Sequence, residues 1–285
     1  MEELEQKIEQ ACLPHLGKPI ALSGGVDSSL LACLLKPKFV ISVELPGGDK
    51  YNEIEWAKKV ATERKLEHII VTPDEFKFDE YCTIAVKAIG RPIPHFNIFP
   101  LFCMYQRLFQ MGVKEIVLGD GPDETMCGYA RDLITYHLYN IYEIEAFKNY
   151  KELIDKILPP LPKTIKKLTG IKTKTMLEAE LLMRKDMDDM SDGIAAHFGI
   201  KNIRPYQDNK ELDDYMRNLS IEQKIQGEYG KWTLRQILAQ YLPEVADRKK
   251  KVGGPVYPVN KLKGWLAKGE FDKSKWLEYQ EEILK

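Results

Sequence analysis

Apolar residues recur at helical spacing near the start of the chain, at Leu4, Ile8 and Cys12, and Pro14 to Gly17 ends the pattern. The run Pro19-Ile20-Ala21-Leu22 is short, apolar and stopped by Ser23-Gly24-Gly25, so it predicts a buried strand. A helix is expected from Ser28 to Leu35, then a strand over Phe39 to Val43, then a helix from Asn52 to Arg64 with Asn52 as its cap and Glu55 three residues on. Glu67 to Val71 reads as a third strand, and a helix fits part of Glu75 to Ile89. The proline-rich crossing Arg91 to Pro100 leads into a helix from about Leu101 to Met111. Glu115 to Leu118 is a fourth strand, broken by Gly119-Asp120-Gly121-Pro122. Strands alternating with helices imply α/β architecture, a doubly wound parallel sheet with right-handed crossovers. From Arg131 to Gln240 the pattern is almost wholly helical, interrupted by a stretch with five lysines from Leu161 to Thr175 that reads as a solvated loop. The expected division is an α/β core over residues 1–130 and a mainly helical C-terminal half over 131–285. Trp276 to Leu284 predicts a helix with an apolar face, suited to packing internally or on a partner.

Composition narrows the classes. Hydrophobic residues make up 44% of the 285 and charged residues 30%, an ordinary globular mixture. The 42 basic and 43 acidic side chains nearly cancel, which argues against bulk binding to nucleic acid or to an acidic membrane surface. No apolar run approaches the roughly 18 residues of a membrane span. The acidic start Met1-Glu2-Glu3-Leu4 is the opposite of a secretory signal, so a cytoplasmic chain is expected. The five cysteines, Cys12, Cys33, Cys82, Cys103 and Cys127, are widely spaced and form no CxxC pair. They read as small buried hydrophobes rather than metal ligands or a disulfide framework.

Two segments follow strands and carry candidate chemistry. In Ser23-Gly24-Gly25-Val26-Asp27-Ser28-Ser29, glycines let the backbone approach a ligand, successive N–H groups point inward, and the following helix adds its positive end. A capped Gly-Gly turn is the bland alternative. Neither GxxxxGK[ST] nor GxGxxG after a strand is present. The second segment is Gly119-Asp120-Gly121-Pro122-Asp123-Glu124-Thr125-Met126-Cys127-Gly128-Tyr129, which alone would read as a proline-glycine turn with a capping Asp. Asp27 and Asp123 then sit at the ends of two strands. If those strands are neighbours, they lie about 5 Å apart and open on one crevice, where paired acids suit Mg²⁺.

The first segment resembles the SGGxDSS pyrophosphate loop of the ATP pyrophosphatases. That superfamily cleaves ATP between the α and β phosphates and transfers AMP to a substrate oxygen. The second resembles the GEGxDExxGGY segment of the synthetase domain of asparagine synthetases. A third segment, Arg248-Lys249-Lys250-Lys251-Val252-Gly253-Gly254, is a solvated basic turn by charge alone. It is similar to the Arg-x-Lys turn of those synthetases, which implies a catalytic lysine at Lys250, with Lys251 the alternative register. The resemblance covers roughly Lys18 to Gly264. It implies ATP and Mg²⁺ as cofactors. The β and γ phosphates would lie on Ser23, Gly24, Gly25, Val26, Asp27, Ser28 and Ser29, adenine against Leu22 and Val43, with Gly119 a further ATP contact, and metal on Asp27 and Asp123. Asp120, where the synthetases have Glu and lactam-forming relatives Tyr, is the implied proton acceptor from ammonium. Tyr51-Asn52-Glu53 and the stretch from Met190 to Asp208 extend the match, with Arg204 a secondary substrate candidate. His68 reads as structural, and His15, His95, His137 and His197 form no constellation.

The implied activity is an ATP-dependent amide-forming synthetase that adenylates a carboxylate, aspartate by resemblance, and aminates it with ammonia. A related ligase or lactam-forming cyclase acting on another acid, a tRNA-modifying adenylating enzyme and a non-catalytic nucleotide-binding regulator stay open. Glu2 stands where glutamine-using synthetases expose a cysteine, and the glutaminase half is absent from this sequence. Free ammonia, a separate glutaminase or another amine is therefore expected as nitrogen source. No membrane partner is expected, and a homo-oligomer stays open. Cys127 replaces the family's Gly, and no histidine near it in sequence supports a nucleophile.

Overall fold

A computed structural model describes residues 1–45, 53–95, 97–129, 132–133, 176–248, 266–267, 270–271 and 273–285. Five parallel strands form the main sheet: β1 (Ile20–Ala21), β2 (Val40–Val43), β3 (His68–Val71), β4 (Glu115–Val117) and β5 (Lys201–Ile203), in the order β3-β2-β1-β4-β5. Strand order reverses between β1 and β4, which places a crevice beyond their carboxyl ends.

Alternation of side chains across the pleat gives the sheet two buried faces. Ile20 pairs with Val40 and with Val117, and Val117 pairs with Ile203. All four enter one core, with α1 (Glu2–Cys12), α2 (Val26–Leu35), α3 (Ile54–Glu63) and the helices Lys210–Asn218 and Trp232–Ala239. Ile41 and Ile116, one residue out of phase, enter the other core with α4 (Phe78–Ile89), α5 (Ile98–Gln110), the helix Met176–His197 and the helix Lys273–Leu284. Helices on both faces make the fold doubly wound α/β. α2 is buried on nearly every side: nine of its ten residues are buried, the polar Asp27, Ser28 and Ser29 of its first turn among them.

Several boundaries differ from the pattern-based reading. α2 starts at Val26, capped by Gly25 in an extended conformation. α5 starts three residues early, at Ile98, and carries Pro100 in its first turn, where a proline lacks no intrahelical partner. α3 begins after Glu53, and Asn52 lies outside the described residues, as do Tyr51, His137 and Leu161 to Thr175. The fifth strand comes from a stretch the pattern assigns to helix. Lys201 is exposed while Asn202 and Ile203 are buried, a signal too short for periodicity to register.

The helix Lys273–Leu284 packs internally. Trp276 is 2% exposed, its ring stacks on Tyr279, and its Nε1 donates to the carbonyl of Ile93 at 2.9 Å. Gln280 accepts from the amide of Ile93 and donates to its carbonyl, both at 2.9 Å. The four cysteines Cys12, Cys33, Cys82 and Cys103 are buried, and burial pushes the Cys33 thiol up to about 11. Among the described residues no helix is long and apolar enough to cross a membrane.

Candidate active site

Because β1 and β4 are neighbours, the loops that leave them touch. Ser23 Oγ lies 3.0 Å from Ser28 Oγ, and the amides of Ser23 and Gly25 donate to those hydroxyls at 3.2 Å. Gly24 has φ +75°, and a Cβ there would sit 2.5 Å from the amide nitrogen of Ala57. Gly119 lets the second loop press on the start of α2, since a Cβ would lie 2.8 Å from the amide nitrogen of Ser28.

Asp27, in the first turn of α2, and Asp123, in the first turn of the short helix α6 (Pro122–Thr125), meet on one cation. Lys231 Nζ bonds Asp27 Oδ2 and lies 2.8 Å from Asp123 Oδ1. The lysine side chain is 7% exposed. Burial works against its charge, but Asp123 and then Asp27 outweigh it, and its pKa rises above the ordinary lysine value. The backbone fixes the meeting: Lys231 has φ +57° and its amide donates to the carbonyl of Met126 at 2.9 Å. A Cβ on Gly128 would overlap Asp123 and Lys231, and one on Gly230 would overlap the carbonyl of Cys127. Cys127 itself takes φ +57°, the conformation that the Gly of the matching pattern adopts without strain.

Two arginines close the same end. Arg235 donates to the carbonyls of Gly230, Ala246 and Arg248 at 2.9, 2.6 and 2.8 Å. Arg248 donates to the carbonyl of Gly24 at 3.2 Å, pairs with Glu53 and lies over the Trp56 ring, 5.2 Å from its centroid.

A second cluster is organised by Arg204, which is buried. Its guanidinium reaches Asp120 at 3.4 Å, Asp188 at 3.2 Å, Asp192 at 2.8 Å and the Ser191 hydroxyl at 2.7 Å. Half of the Asp120 side chain is accessible, and that surface faces the cavity. Burial pushes its carboxyl up, Asp123 and Asp27 add to the effect, and Arg204 opposes it. Burial also raises Asp188 to about 6 and Glu124 to about 7, the latter although the Tyr129 hydroxyl donates to it. At the strand ends Ser42 Oγ donates to the carbonyl of Leu22 at 2.5 Å, so His68 Nε2, 2.8 Å away, is the donor to Ser42, consistent with a structural role.

Leu22, Ser23, Gly25, Val26, Asp27, Ser28, Val43, Gly119, Asp120 and Asp123 line one cavity of about 600 Å³. Two of the expected phosphate contacts do not line it: Gly24 turns toward α3, and Ser29 is fully buried. Lys250 and Lys251 lie outside the described residues. The cavity also gathers Lys231, Arg235, Arg248 and Ser191. The sequence pattern assigns no role to Lys231 or Arg235; their signal is a Gly-Lys pair directly before an apolar-periodic helix. Arg204 contributes chiefly by holding three aspartates together. Among the described residues no three His, Cys, Asp or Glu side chains are grouped to hold a metal by themselves. Two carboxylates already sharing one cation fit a metal that completes its shell with phosphate oxygens and water.

Residues 19–275 match the description of the asparagine synthase family, a span that contains both loops, the Lys231 turn and Arg204. The chain belongs to the asparagine synthase family. Two of its relatives are a protein described as an asparagine synthetase (glutamine-hydrolyzing) in Methanocaldococcus jannaschii, 24% identical over 269 residues, and asparagine synthetase B (glutamine-hydrolyzing) of Escherichia coli, 25% identical over 282 residues. Each alignment covers 87% of this chain but only 48% and 43% of the relative, so this asparagine synthase family chain spans about half their length.

Proposed function

We propose that this chain is an ATP-dependent, AMP-forming carbon–nitrogen ligase, with aspartate as the carboxylate and asparagine as product. The observation that carries the reading is the convergence of Asp27, Asp123 and Lys231 beside the Ser23–Ser29 loop at the strand-order reversal. The two asparagine synthetases it resembles favour aspartate. Residues 1–130 form the nucleotide-binding core in this reading, and 131–285 complete the site by supplying Lys231, Arg235 and Arg204. We assign the enzyme to the cytoplasm, drawing on free ammonia or a separate glutaminase.

In the first step a substrate carboxylate oxygen bonds to the α phosphorus, the bond to the β-phosphate oxygen breaks, and pyrophosphate leaves. Ser23, Gly25, Val26 and Ser28 cradle the β and γ phosphates, with Gly24 making the turn against α3 and Ser29 behind them in the helix. Leu22 and Val43 form the wall for adenine, and Gly119 is a further ATP contact. Asp27 and Asp123 would hold Mg²⁺, which supplies charge neutralisation at the pyrophosphate. Lys250 stabilises the departing charge. Ammonia nitrogen then bonds to the acyl carbon, AMP leaves with its oxygen, and Asp120 takes the proton released by the ammonium. The raised carboxyl of Asp120 suits that role, because a base works best when its pKa approaches the working pH. Catalysis is positioning and preorganised charge rather than side-chain nucleophilicity.

Pyrophosphate release measured with ATP, aspartate and ammonium tests the reading. Asp27→Ala and Lys250→Ala are each expected to lose about 10²–10³ in rate. Near-normal rates in both would remove the proposal. Substitution of other carboxylic acids for aspartate in the same assay identifies the acyl substrate.

A further inference from the structure

We infer that Lys231 is the resident counter-cation of the two-carboxylate site, holding the position between Asp27 and Asp123 so that a divalent metal enters only together with nucleotide phosphates. This rests on the nucleotide reading above and adds to it an order of events. The ammonium touches both carboxylates at once, from a side chain that is 7% exposed. Its location is built in at the backbone. Residue 231 is held in the left-handed region with its amide bonded to Met126, Gly128 leaves its side chain room, and Gly230 lets the turn press on the carbonyl of Cys127. A non-glycine residue at φ +57° is unfavourable and persists where the surroundings over-determine it.

The electrostatics follow from proximity. With Lys231 in place the trio carries one net negative charge, and without it two. A free divalent ion approaching the carboxylates meets an ammonium already there, at contact distance and away from screening solvent. A nucleotide changes this, because its phosphate oxygens give the ammonium another set of acceptors while they bring the metal. Lysine suits the exchange: it is a point charge on a flexible stem with three rotatable donors, whereas a guanidinium would be locked by its fork. Arg235 does not substitute for it, since its guanidinium bonds three backbone carbonyls.

Mn²⁺ binding to the full chain, followed by electron paramagnetic resonance at neutral pH, tests the inference. Wild-type protein with Mn²⁺ alone is expected to bind at least about tenfold more weakly than with Mn²⁺ and α,β-methylene-ATP together. Lys231→Met is expected to gain a nucleotide-independent Mn²⁺ site, at least about tenfold tighter than that of the wild type. Tight binding of Mn²⁺ alone to the wild-type chain would overturn the inference, and so would a folded Lys231→Met protein, checked by circular dichroism, that gains nothing. If Lys231→Met does not fold, the two wild-type arms decide. Failure of α,β-methylene-ATP to bind the wild-type chain would instead overturn the nucleotide reading, and a gain of Mn²⁺ by Lys231→Met would still support the counter-cation.

Discussion

Lys231 lines the cavity, Arg204 lies behind its Asp120 and Ser191, and each gathers aspartates from other parts of the chain. They do so in different ways. Arg204 engages Asp120, Asp188, Asp192 and Ser191 through Nε and both terminal nitrogens, so the planar fork is committed in several directions. Asn202 extends the network by donating to Asp192 and accepting from the buried Tyr105 hydroxyl, both at 2.8 Å. Lys231 presents a single nitrogen to Asp27 and Asp123. A guanidinium held on four groups is architecture. An ammonium on two carboxylates is charge that a ligand can redirect.

The largest expected effect of breaking this contrast is on stability around Arg204. Arg204→Met leaves three aspartates without their shared cation and is expected to cost about 3–5 kcal/mol in urea unfolding. A loss below about 1 kcal/mol would mean that the guanidinium is as dispensable as a surface ion pair. Around Lys231 the backbone is the sensitive element. Gly128→Ala drives a methyl group into Asp123 and Lys231, so pyrophosphate release should fall at least about tenfold while stability drops by about 1–3 kcal/mol. Unchanged kinetics would show that the two carboxylates need not be held on one cation.

The smallest effect is a pH dependence. Glu124 sits at about 7 in the folded chain, above the value of an exposed glutamate, so the folded state keeps its proton where the unfolded state has lost it. That contribution to stability is fully present below about 4.5 and declines as pH rises toward 7, the sign required when the native state binds more protons. Asp188, at about 6, acts in the same direction between about 4 and 6. The difference in melting temperature between wild type and Glu124→Gln, followed from pH 4.5 to 7, should shift steadily against the wild type. A flat difference would show that Glu124 ionises normally.

Much of this arrangement is legible in the order of residues. Short apolar runs stopped by glycine mark β1 and β4, and their loops carry the acids that meet in the crevice. The resemblance to the synthetase pattern adds that both loops serve one site. What is hidden is long-range. Lys231 lies 204 positions from Asp27, and its local signal, a Gly-Lys pair before a helix, says nothing of that partner. β5 is hidden for a different reason: Lys201-Asn202-Ile203 has no apolar run, and Asn202 is tolerated in the sheet because Tyr105 and Asp192 satisfy its amide. Arg204 reads as structural support and only secondarily as a substrate contact, but which four groups it holds is visible only in the fold.

The clasp on Ile93 bears on how the molecule is made. Both main-chain polar groups of that residue are claimed by Trp276 and Gln280, more than 180 positions later. The crossing it belongs to leads directly into Asn97, Pro100 and Leu101, which wall the cavity. A growing polypeptide can assemble β1 to β4 early, but one side of the cavity stays unbraced until Trp276 and Gln280 have left the ribosome.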